Sequence, residues 1–140
     1  MVTNKVVTVW KENMVFESDN PSGDILFMDA PDEGVKNKGM RPKALMLSSL
    51  AGCSGLDVVS LLKKMRAEVD DFKIVTQGEL TEEHPKFYHK VNVQYHFYGN
   101  DLQQDKIQKA VDLSVEKYCG VMEMFRQFAD VTTEVYLHEQ

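Results

Sequence analysis

The spacing of apolar and polar positions changes along the chain, and the changes mark its elements. Val6 to Trp10 and Met14 to Ser18 are two β-prone runs, separated by Lys11 to Asn13. Asp19-Asn20-Pro21-Ser22-Gly23 gathers the residues that favour tight turns, and Ile25 to Met28 resumes a strand. Ala30 to Met40 is polar and Gly-containing, so it reads as a loop. Pro42 then opens a helical segment to about Arg66, since proline suits the first helical turn. Its apolar residues, among them Leu45, Leu50, Leu56, Val59 and Leu62, lie nearly all round the helix, which predicts burial on every side. Only Lys63, Lys64 and Arg66 read as solvated, and cations suit a helix C-terminus.

Beyond this helix the period falls to two. Phe72, Ile74, Thr76, Gly78 and Leu80 share one face of a strand. Val91, Val93, Tyr95 and Phe97 alternate with Asn92, Gln94, His96 and Tyr98. With Thr81 to Lys86 as the turn, the two form a long antiparallel hairpin with one buried face. Ile107, Val111, Val115 and Tyr118 define the apolar stripe of an amphipathic helix, with Asp101 or Gln104 as candidate caps. Cys119-Gly120 breaks that helix, Val121 to Phe128 forms a short second one, and Val131, Thr133, Val135 and Leu137 close the chain as a strand. The predicted order βββ-α-ββ-α-α-β is that of an α+β protein.

Composition narrows the function. The 140 residues fit one domain, and the net charge of -6 opposes nucleic acid and anionic membrane surfaces as partners. No uninterrupted apolar run approaches a membrane span, and Met1 to Trp10 has no apolar signal core, so the chain reads as cytoplasmic. In that compartment two cysteines are expected reduced, catalytic or buried as small hydrophobes rather than as a permanent staple. The four histidines lack metal-site spacing, and no phosphate loop or Ser–His–Asp pattern is visible, so no metal or cofactor is expected. Ser48-Ser49-Leu50-Ala51-Gly52-Cys53-Ser54-Gly55 places small residues in mid-helix, where each glycine costs roughly 1 kcal/mol relative to alanine. Two readings remain open there: close approach of a second backbone, or access to the Cys53 sulfur. Asp57 follows Cys53 by one turn on the same face, and it is expected to pair with a cation or to sit at a subunit interface.

The segment Leu45 to Arg66, with its Gly52-Cys53-Ser54-Gly55-Leu56-Asp57-Val58-Val59 core, resembles the cysteine helix of OsmC/Ohr-family proteins. Glu82-Glu83-His84-Pro85 to Gly99 resembles that family's central hairpin, and Ala110 to Cys119 its second-cysteine segment. The resemblance spans about residues 40 to 125. It implies an OsmC-like fold, with antiparallel sheets around a long buried central helix in an intertwined homodimer. It also implies a thiol-dependent peroxidase for organic hydroperoxides, with Cys53 as the attacking thiolate, Cys119 as the resolving thiol and a dithiol as reductant. In active members an Arg from the N-terminal strands meets the thiolate and a Glu early in the helix holds that Arg. Here no Arg precedes Arg41, and Lys43 or Ala44 stands where the Glu would align. Arg41 and Lys43 are therefore the candidates for supporting the thiolate. The alternative reading is a dimer that holds a small apolar ligand, or senses oxidation, without turnover.

Overall fold

The computed structural model describes residues 1–31 and 39–140. Most of the expected loop, residues 32–38, lies outside the described residues. The strands are β1 (Thr8–Glu12), β2 (Val15–Asp19), β3 (Ile25–Met28), β4 (Asp71–Leu80), β5 (Tyr88–Gly99) and β6 (Asp130–Glu139). The helices are α1 (Pro42–Met65), α2 (Gln104–Leu113) and α3 (Gly120–Arg126), with a single π turn, Ser114–Tyr118, joining the last two. The order is the one the periodicities predict, and the class is α+β. The chain divides into two compact units, Met1–Met46 and Leu47–Gln140, with the boundary inside α1.

In the first unit, β1, β2 and β3 form an antiparallel sheet in chain order. Asn13, at φ +45°, turns the β1–β2 hairpin, and the Trp10 indole N–H donates to its carbonyl at 2.8 Å. The β2–β3 turn falls where the sequence places it: Asn20 Oδ1 accepts from Ser22 N–H and Gly23 takes φ +94°. Asp29, buried just past β3, accepts from Gly39 N–H and from the Arg41 guanidinium.

In the second unit the sheet order is β4-β5-β6. The β4–β5 pair is the expected long antiparallel hairpin, from Asp71↔Tyr98 to Leu80↔Tyr88. β6 departs from the expectation of antiparallel sheets: it runs parallel to β5, from Lys90↔Asp130 to Gly99↔Glu139. A parallel pair needs a long crossover, and α2, the π turn and α3 supply it. Val91, Val93, Tyr95 and Phe97 point inward and are essentially fully buried. Leu50, Val58 and Leu62 of α1, Ile107 and Val111 of α2, and Met122 and Phe125 of α3 belong to the same core. Gly78 is required by packing, since a Cβ there would stand 2.6 Å from the Tyr88 ring.

Helix α1 ends in two hydrogen bonds, Ala67 N–H to Leu62 O at 3.0 Å and Arg66 N–H to Lys63 O at 3.2 Å. Arg66 takes the left-handed position, φ +56°, that glycine usually fills in this motif. Among the described residues, α1 is the one helix long and apolar enough to cross a membrane. Here it is a core helix that buries one stripe, Leu50, Ser54, Val58 and Leu62. Burial on every side is not found in the single chain: Leu56 is 76% exposed and Val59 41%.

Candidate functional site

Cys53 lies in α1, half-buried, beside Ser54 of the buried stripe. Gly52 has open space around a would-be Cβ, whereas at Gly55 a Cβ would stand 3.1 Å from Ile74 Cδ1. Of the two readings of the small-residue run, close packing therefore holds for Gly55 alone. At Gly52, one residue from Cys53, the space is open.

Cys119 reaches the same place from the crossover. The apolar stripe of α2 holds at Ile107 and Val111, but Tyr118 is 51% exposed. The π turn adds a residue to the helical repeat, so a stripe drawn at 3.6 residues per turn still meets the core at Val115 but fails at Tyr118. Cys119 itself leaves the helix, at φ -77° and ψ 105°, and Gly120 already opens α3. Neither expected cap is used at the start of α2: Gln103 occupies that position and makes no side-chain bond.

The structure brings Cys53 and Cys119 within hydrogen-bonding reach as free thiols. Cys119 is only 3% exposed, and its Sγ accepts from Met122 N–H at 3.3 Å. Burial pushes its thiol up from 9.0 to about 11; the N–H groups of Met122 and Val121 pull the other way and Cys53 adds to the rise. The helix break does supply the anticipated N–H groups, but desolvation outweighs them. Cys119 is thus held as a neutral thiol at neutral pH.

Asp57 does not take a cation as expected: Ser114 Oγ donates to its Oδ2 at 3.1 Å. Ser114, Ser54 and Tyr95 are joined to it through hydroxyls in the core. Sequence reasoning missed this cluster, because its members lie 41 and 60 residues apart. Arg41 belongs to the first unit, where Asp29 engages it, and Lys43 stands exposed in the first turn of α1. The hollow on the second sheet, lined by residues that include Gln77, Glu79, Lys90, Asn92 and Asp130, contains neither cysteine. Elsewhere, His96 Nδ1 and His138 Nε2 meet at 3.0 Å across β5 and β6. Partial burial, then His138 and Lys73, hold His96 below the ordinary histidine range. Among the described residues no three potential ligands cluster for a metal.

Comparison with known proteins places this geometry. A family model described as OsmC-like protein matches residues 35–134. Protein YhfA of Escherichia coli K12 is 35% identical over 123 residues, covering 88% of this chain and 90% of that protein. A hypothetical protein from Aquifex aeolicus VF5 superposes with a TM-score of 0.88 at 31% identity, covering 100% of this chain and 99% of that one. The organic hydroperoxide resistance protein OhrB of Bacillus subtilis shares the fold, with a TM-score of 0.65 at 21% identity over 96% of this chain and 98% of its own. With its cysteine helix, central hairpin and second-cysteine crossover in this order, the chain belongs to the OsmC-like family.

Proposed function

We propose that the chain works as one OsmC-like domain in a cytoplasmic homodimer that reduces organic hydroperoxides through its two cysteines. The observation that carries the reading is the pair itself, Cys53 half-buried and Cys119 beneath it within hydrogen-bonding reach. The Cys53 thiolate attacks the outer oxygen of a hydroperoxide. The O–O bond breaks, Cys53 becomes a sulfenic acid, and the alkoxide leaves and takes up a proton. Cys119 then attacks the Cys53 sulfur, the S–S bond forms and water departs. A dithiol reductant returns both thiols and is itself oxidised to a disulfide. The division of labour follows burial: the more accessible sulfur meets the oxidant, and the neutral, buried Cys119 waits for the second step. Arg41, fixed by Asp29, and Lys43 are the cations proposed to support the thiolate. The apolar residues that α1 leaves exposed, Leu56 and Val59, support a second copy as the partner.

One observation favours a second reading, ligand holding or oxidation sensing without turnover: Cys119 is pushed up to about 11, which slows resolution. The deciding experiment is consumption of cumene hydroperoxide with dithiothreitol, read beside intact mass. Turnover that vanishes in Cys53→Ser, with a wild-type product two hydrogens lighter, is expected. Full turnover in Cys53→Ser overturns the mechanism, and a wild type that consumes nothing leaves the sensing reading.

A further inference from the structure

The polar side chains buried in the second unit are joined to one another beside the cysteines. Ser54, Ser114 and Tyr95 are all 0% exposed. Ser54 Oγ lies 2.7 Å from the Tyr95 hydroxyl and 2.8 Å from Ser114 Oγ, and Ser114 Oγ lies 3.1 Å from Asp57 Oδ2. Proton counting gives this chain a direction. Ser114 Oγ faces two groups on α1 that only accept, the ionised Asp57 carboxylate at 3.1 Å and the Ser54 carbonyl at 3.2 Å, so its proton goes to them. The single Ser114 proton is then used, so Ser54 donates to Ser114, and Tyr95 in turn donates to Ser54.

The two serines at the middle of this arrangement link it to the two sulfurs. Ser54 directly follows Cys53 on α1. Ser114 opens the π turn, and its carbonyl accepts Cys119 N–H at 2.8 Å. Ser114 thus grips α1 with its hydroxyl and Cys119 with its main chain. Three hydroxyls in an apolar core add little net stability over apolar groups of the same shape. What they add is one register between elements that apolar packing alone would let slide. A lone π turn is wide and locally weak, and here it is tied from outside at its first residue.

We propose that Tyr95, Ser54, Ser114 and Asp57 form a latch that holds the Cys119 turn against the Cys53 turn of α1, and so governs how readily the two sulfurs close into a disulfide. All four are positioning residues. The inference rests on reading the cysteines as a redox pair, and not on a hydroperoxide being the oxidant.

The test is closure in a glutathione redox buffer, where oxidised glutathione takes two electrons and two protons from the thiols and leaves as two reduced glutathiones. Intact mass reads the Cys53–Cys119 disulfide and gives the effective concentration of one thiol at the other. Asp57→Ala, which leaves Ser114 only the Ser54 carbonyl to donate to, is expected to lower it about fivefold or more. Asp57→Asn keeps an acceptor oxygen and is expected to stay within about twofold of wild type. Tyr95→Phe removes only the far link and is expected to fall between them. Wild-type closure in Asp57→Ala overturns the latch. So does an Asp57→Asn value as low as that of Asp57→Ala, since charge would then be the agent. Should Asp57→Ala not fold, wild-type closure in Tyr95→Phe overturns it equally. A wild type that forms no disulfide in this buffer removes both the latch and the peroxidase, whereas closure here without hydroperoxide consumption removes only the peroxidase.

Discussion

Arg66 holds a backbone conformation that side chains with a Cβ resist. Its φ of +56° closes α1, and the two hydrogen bonds around it satisfy carbonyls that would otherwise be orphaned. A non-glycine residue there costs about 1 kcal/mol. Arg66→Gly is therefore expected to stabilise the protein by about that amount, raising Tm by a few degrees. Thermal unfolding by circular dichroism checks it, and an unchanged or lower Tm contradicts it. At this scale the sequence was only partly legible. A cation at the helix end was expected, but not that it would sit in the left-handed position. Cys53 and Cys119 were nominated through resemblance, because their spacing says nothing of their proximity. Asp57 was read as a partner for a cation and instead accepts from a serine on a distant turn. Such contacts are set by tertiary packing, which no local pattern records.

Elements were more legible than contacts, because each announces its period. From Val91 to Gly99, β5 alternates strictly and buries its odd-numbered residues. Two features stayed hidden. Strand periodicity carries no direction, so the parallel β6 could not be distinguished from an antiparallel one. A helical wheel assumes a constant repeat, so the π turn displaced Tyr118 from its expected face. The all-round apolar character of α1 is legible in the sequence, while the single chain buries only one stripe of it, and this difference has a consequence. Leu56 and Val59 stay exposed on a helix whose other side is core. Under the homodimer reading, Leu56→Lys is expected to shift sedimentation equilibrium from two copies towards one, a charge in an apolar contact costing several kcal/mol. A wild type that sediments as one copy, or a variant that stays paired, counts against that reading.

For the whole molecule, the buried acids set a pH window. Cys119 moves from 9.0 to about 11 and Tyr95 from 10.0 to about 12, burial being the largest cause in both. The folded chain therefore holds protons that the unfolded chain releases. Stability is complete below pH 9 and falls as pH rises through 11 and towards 12, with Cys119 accounting for up to about 2 kcal/mol. Urea midpoints at pH 8 and pH 10.5 should differ in wild type, and by less in Cys119→Ala. Equal midpoints in wild type would remove the linkage.

The parallel pairing of β5 with β6 also sets an order in time. From Lys90 to Gly99, each residue of β5 meets one forty positions later, as Lys90 meets Asp130 and Gly99 meets Glu139. Such contacts close a long loop and form late in folding. Cys119 sits inside that loop, while Cys53 lies on a helix made earlier in the chain. On a ribosome, Cys53 therefore emerges before Cys119 and before the strand that closes this loop. A newly made chain passes through an interval in which its first sulfur has no second thiol beside it.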